Sequence, residues 1–91
     1  MRITEVNITP VKPQNGLVAF ASLVLDDCLY LGSIAVYSRL DGTGYRLTYP
    51  AKKVAGRDLN IYHPINKNFA KEIEKAIVNK AQSLFNVPSP F

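Results

Sequence analysis

"LVAFASLVLDDCLYLGSIAVYS", Leu17 to Ser38, decides how this chain folds. Two apolar runs are separated by Asp26 and Asp27. Apolar runs bounded by turn residues read as strands, and a two-residue polar break between them reads as the turn of an antiparallel hairpin. The break lacks Asn-Gly or Asp-Gly, so the sequence leaves its type open. The first run, Leu17 to Leu25, is much shorter than the ~20 apolar residues a membrane span needs. It begins far from a basic start and ends in two aspartates, which is wrong for a signal peptide. It reads as a buried strand.

Upstream, "RITEVNIT" (Arg2 to Thr9) is short and rich in β-branched residues, so it reads as another strand. "PVKPQNG" (Pro10 to Gly16) carries two prolines and a terminal Asn-Gly and reads as loop. Downstream, "RLDGTG" (Arg39 to Gly44) is a second turn and "YRLTY" (Tyr45 to Tyr49) a fourth strand. Alternation puts Tyr45, Leu47 and Tyr49 on one face and Arg46 and Thr48 on the other. Pro50 ends this strand, because it has no N–H to give to a ladder.

The period then changes. Phe69, Ile73, Ala76, Ile77, Ala81 and Leu84 follow the spacing of an amphipathic helix. Asn66 or Asn68 can cap it, and Pro64 keeps helix from forming upstream. The opposite face carries Lys67, Lys71, Glu72, Glu74, Lys75, Asn79 and Lys80, which first reads as a solvated surface. "VPSPF" (Val87 to Phe91) stops the helix and leaves a short tail. The 91 residues fit one domain, 1–91. The expected class is α+β: a small antiparallel β-sheet of about four strands, an irregular basic segment, then one C-terminal amphipathic helix. One helix covers one sheet face. A thin core and an uncovered face or edge make a homodimer the expected state.

Catalysis finds little support. General acid–base chemistry needs convergent groups with tuned pKa values. The one histidine, His63, lies between Tyr62 and Pro64, and the seven carboxylates are scattered. The Asp26-Asp27 pair sits in a turn, and "DGTG" lacks the lysine and helix of a phosphate loop. Cys28 is the chain's one cysteine, so an intrachain disulfide is excluded. It reads as a small buried hydrophobe, and its isolation fits a reducing, cytoplasmic setting. No Cys/His pattern has zinc spacing. The expectation is a non-enzyme with no cofactor, no metal and no membrane association.

The net charge of +4 raises the prospect of a phosphate-bearing partner. Lys52, Lys53 and Arg57 lie within six residues of one another in "YPAKKVAGRDLNIYHPIN" (Tyr49 to Asn66), on a segment expected to be exposed. Such side chains can reach phosphates and release counterions. Arg46 lies upstream, and Lys67 and Lys71 open the helix, whose N-terminal N–H groups favour an anion. Against this stands the plain reading that Lys52 and Lys53 keep a loop soluble. His63 fits a hydrogen-bonded corner before the rigid Pro64, a nucleic-acid contact, or a general base without partners.

Particular residues carry a resemblance. "LDD" (Leu25 to Asp27), Ile34 and Val36, "YPAKK" (Tyr49 to Lys53) and "IYHPIN" (Ile61 to Asn66) follow one another as in the SpoVG family of bacterial septation and sporulation regulators. The chain resembles that family over most of its length. The resemblance implies a small antiparallel sheet with a helix, a homodimer, and regulation of gene expression by binding DNA and also RNA. Carried over by position, it points first to Lys52 and Lys53 and then to Arg57. Leu59-Asn60 departs from the Arg-Asp that family members often carry there. Pro50, His63 and Pro64 then read as a structural corner. The expected function is a cytoplasmic, homodimeric nucleic-acid-binding regulator. The alternative is a protein-interaction module that recruits a partner through an exposed sheet edge.

Overall fold

The computed structural model describes residues 1–39 and 44–85. The expected tail at 87–91 and the middle of the Arg39–Gly44 turn lie outside the described residues. The elements in chain order are β1 (Ile3–Gln14), β2 (Leu17–Leu25), β3 (Leu29–Ser38), β4 (Tyr45–Thr48), β5 (Ala51–Val54), β6 (Arg57–Asn60) and α1 (Lys67–Phe85). Strands β1 to β4 form one antiparallel sheet in sequence order. Strands β5 and β6 form a separate two-stranded ribbon. The class is α+β, with the expected four-stranded sheet and C-terminal helix.

Local backbone geometry explains three of the hairpins, β1–β2, β2–β3 and β5–β6. Each turn takes two consecutive residues at positive φ: Asn15 and Gly16, Asp26 and Asp27, Ala55 and Gly56. Paired positive φ values match the right-handed twist of the flanking strands, and Asn, Asp and Gly adopt them most cheaply. At the Asp26-Asp27 turn the Leu25 carbonyl accepts from the Cys28 N–H at 2.9 Å. Asp26 Oδ1 accepts the Arg2 N–H at 2.8 Å, and Thr4 Oγ1 accepts the Asp27 N–H at 3.0 Å. The aspartate pair is therefore turn chemistry tied to the start of β1.

Side chains alternate across the sheet as strand geometry requires. Ala19, Ala21, Leu23 and Leu25 of β2 and Ile34 and Val36 of β3 point to one face and are buried. Helix α1 covers that face with Ile73, Ile77 and Ala81, while Phe69 packs at the margin. Asn66 caps the helix: its Oδ1 accepts the Phe69 N–H at 2.9 Å.

Four sequence expectations change. Pro10 to Gln14 is the end of β1 and not loop; β1 lies at the sheet edge, where prolines are tolerated. Lys52 to Arg57 is not irregular, because it builds the β5–β6 ribbon. Cys28 is exposed, since it closes a turn and does not enter the core. Leu84 is 47% exposed, because it lies beyond Ala81, the last buried residue of the helix.

Candidate nucleic-acid interface

The ribbon's register sorts its charges. Lys52 pairs with Leu59, Lys53 with Asp58, and Val54 with Arg57. Residues directly opposite share a face. Lys52, Val54, Arg57 and Leu59 therefore occupy one face, and Ala51, Lys53, Asp58 and Asn60 the other. Lys53 stands across from a carboxylate that offsets its charge. Lys52 and Arg57 are diagonal neighbours, about 7–8 Å apart in such a ladder, with no acid on their face. All eight strand residues are exposed.

The base of the ribbon is fixed. The Ile61 N–H donates to the Pro50 carbonyl at 3.0 Å, closing the ladder below Ala51 and Asn60. Beyond it the Tyr62 hydroxyl donates to the Gly32 carbonyl at 2.6 Å. The Tyr62 ring meets Tyr49 edge-on, with centroids 6.1 Å apart and planes at 71°. Burial, then the nearby Tyr49 and Tyr30 phenols, push the Tyr62 hydroxyl up to about 12. Burial, then the Glu74 carboxylate, raise Tyr49 as well. Both rings stay neutral at physiological pH. His63 is exposed beside the half-buried Pro64, so Tyr62 supplies the hydrogen bond that holds this corner to the sheet.

The remaining candidates lie elsewhere. Lys67 and Lys71 are exposed on the first turns of α1, and the first turn holds no acidic residue. Arg46 lies on the sheet face opposite the helix, with its guanidinium 4.6 Å above the Tyr37 ring centroid. The structure thus brings Lys52 and Arg57 onto one surface. It places Lys53, Arg46 and the helix lysines on others. Sequence reasoning left Lys75 on the solvated helix face, although its spacing from Lys67 and Lys71 extends a row along the helix. It also missed the Lys53–Asp58 opposition, which becomes visible only once the segment is known to be a hairpin.

No group of three or more His, Cys, Asp or Glu side chains among the described residues could hold a metal ion. No helix among them is long and apolar enough to cross a membrane.

Fold and surface together define a small α+β protein whose described residues form a four-stranded sheet covered by α1 and a separate basic ribbon. The SpoVG family model matches residues 1–83. The chain is 37% identical to septation protein SpoVG of Treponema denticola, over 86% of this chain and 83% of that protein. It is 30% identical to the protein of that name from Phytoplasma australiense, over 97% and 91%. It is 34% identical to that of Finegoldia magna, over 98% and 82%. This chain belongs to the SpoVG family.

Proposed function

We propose that this protein is a homodimeric regulator of gene expression that acts by binding nucleic acid, without covalent chemistry, in the cytoplasm. The observation that carries this reading is the pairing of Lys52 and Arg57 on one acid-free face of an exposed ribbon. A two-stranded β-ribbon is narrow enough to enter the major groove of B-DNA. Lysine and arginine contacts to phosphate give affinity and position but no sequence information. Lys67, Lys71 and the uncompensated N-terminus of α1 add positive potential. The relatives' name points to septation as the process regulated.

A second copy accounts for exposed apolar surface. Ile61 is 64% exposed and Ile65 91%, and they lie between the ribbon and the helix. An isolated two-stranded ribbon is marginally stable in water. A partner chain over this stretch would bury it and present two ribbons to one nucleic acid.

The reading is tested by titrating binding of unrelated DNA and RNA duplexes with salt. Affinity should fall steeply as salt rises. Weak binding that salt does not change would favour the other reading, in which the outer edge of β1 recruits a protein strand. That edge has no neighbour in the described sheet, although Pro10 and Pro13 blunt it.

A further inference from the structure

We propose that the sheet face opposite the helix holds a slot for an unpaired base of single-stranded RNA, walled by Phe20 and Tyr30. The inference rests on the nucleic-acid reading above and adds a second, chemically different contact to it.

The slot follows from register. Phe20 pairs with Thr9 on one side and Ala35 on the other, Ser22 with Asn7, and Tyr30 with Val24. All of these side chains point away from α1. A bulge at Gly32-Ser33 interrupts the β2–β3 ladder between Ala21 and Leu23, with Ser33 held at φ 61°. That conformation is strained for a residue with a side chain. Bulges of this kind re-aim side chains and recur beside functional sites. Ser33, in the bulge, and Ser22 line the same recess. Gly32 makes room for the Tyr30 ring, because a Cβ there would stand 2.8 Å from Tyr30 Cε2.

The result is a shallow recess of roughly 230 Å³, lined by Thr9, Phe20, Ser22, Tyr30 and Ser33. Two aromatic walls with three hydroxyls match the two chemistries of a nucleotide. Its faces stack on aromatic rings in a sequence-tolerant way. Its polar edge and ribose 2′-OH take hydrogen bonds from the hydroxyls. Phe20 is 40% exposed and Tyr30 67%, so the rings are free to receive it. Arg46, on the same face above Tyr37, places a cation within the sheet for the strand's phosphates. A second copy is the poorer occupant. The centre of an interface between copies is predominantly apolar, whereas hydroxyls and the Asn7 amide flank these rings.

The experiment measures fluorescence anisotropy of labelled oligouridine, its abasic counterpart of equal charge, oligodeoxythymidine and a DNA duplex. The proteins are wild type, Tyr30→Ala, Phe20→Ala and Phe20→Leu, each checked for folding by circular dichroism and for oligomeric state by sedimentation. Wild type should prefer oligouridine to the abasic strand about tenfold, the fold-change that stacking one base supplies. Tyr30→Ala and Phe20→Ala should remove most of that preference and leave duplex binding unchanged. Phe20→Leu keeps the packing but not the stacking, so it should behave like Phe20→Ala. Equal binding of oligouridine and abasic strand by wild type overturns the slot while the phosphate grip stands, as does retention of the preference in the variants. Equal affinity for oligodeoxythymidine overturns the assignment to RNA. Dissociation of Tyr30→Ala to monomer overturns the slot in favour of an interface between copies. Failure to bind any of the four probes removes the nucleic-acid reading itself.

Discussion

The Tyr62 hydroxyl donates to the Gly32 carbonyl at 2.6 Å, joining the chain that leaves the ribbon to the bulge of β3. Gly32 lies beyond Ala35–Ser38, the part of β3 that β4 pairs with. The tyrosine thus satisfies a carbonyl that the sheet leaves open. It also ties the base of the basic ribbon to β3, the strand that carries Tyr30.

Tyr62→Phe keeps the ring and removes only this bond. The variant should lose about 1 kcal/mol of stability, measured by urea unfolding. The wild type should also lose stability in alkali. The folded hydroxyl titrates at about 12, above the ordinary value of 10.0. The unfolded chain therefore ionises first, and the contribution is intact below pH 10 and lost as pH rises through about 12. Tyr62→Phe should flatten that alkaline decline, and phenolate absorbance should lose the step at about pH 12.

The Ala55-Gly56 turn carries a removable strain. Ala55 sits at φ 50°, where a Cβ is unfavourable by about 1 kcal/mol. Ala55→Gly or Ala55→Asn should slow amide hydrogen exchange in Ala51–Asn60 several-fold and leave the main sheet unchanged. Faster exchange would show that the ribbon is held by something other than its turn.

What the sequence revealed depended on burial. The β2–β3 hairpin and α1 were legible because one face of each is buried, which writes a period of two or of 3.6 into the apolar residues. Ala51–Asn60 is exposed on both faces, so nothing constrains its pattern. Lys52, Lys53 and Val54 therefore read as an irregular segment. Pro10 and Pro13 pointed to loop because composition cannot tell a loop from an edge strand. The candidate site shared this fate: its residue types were visible, but their division between two ribbon faces required the register.

Asn66→Ala should remove the bond that Asn66 Oδ1 makes to the Phe69 N–H. A lost N-cap costs about 1 kcal/mol. Thermal unfolding should shift down by several degrees for a domain of this size. Asn66→Asp should restore the cap and add a charge favourable to the helix dipole, recovering stability while weakening nucleic-acid binding.

Dimerisation has its own test. Ile61 and Ile65 are 64% and 91% exposed. Ile61→Ser/Ile65→Ser should leave each chain folded, because neither side chain belongs to the core. Sedimentation velocity should show a shift from dimer towards monomer, and duplex affinity should fall by the lost avidity. A dimer of unchanged strength would move the interface elsewhere.

The most direct test compares the two faces of the ribbon by the salt dependence of duplex binding. Each phosphate contact removed lowers the slope of log affinity against log salt by about 1. Lys52→Ala/Arg57→Ala should therefore lower the slope by about 2 per protomer, with circular dichroism unchanged. Lys53→Ala/Asp58→Ala leaves the net charge unaltered and should keep the wild-type slope. A folded Lys52→Ala/Arg57→Ala protein with wild-type affinity and slope would contradict the account, as would an equal loss from the Lys53→Ala/Asp58→Ala pair.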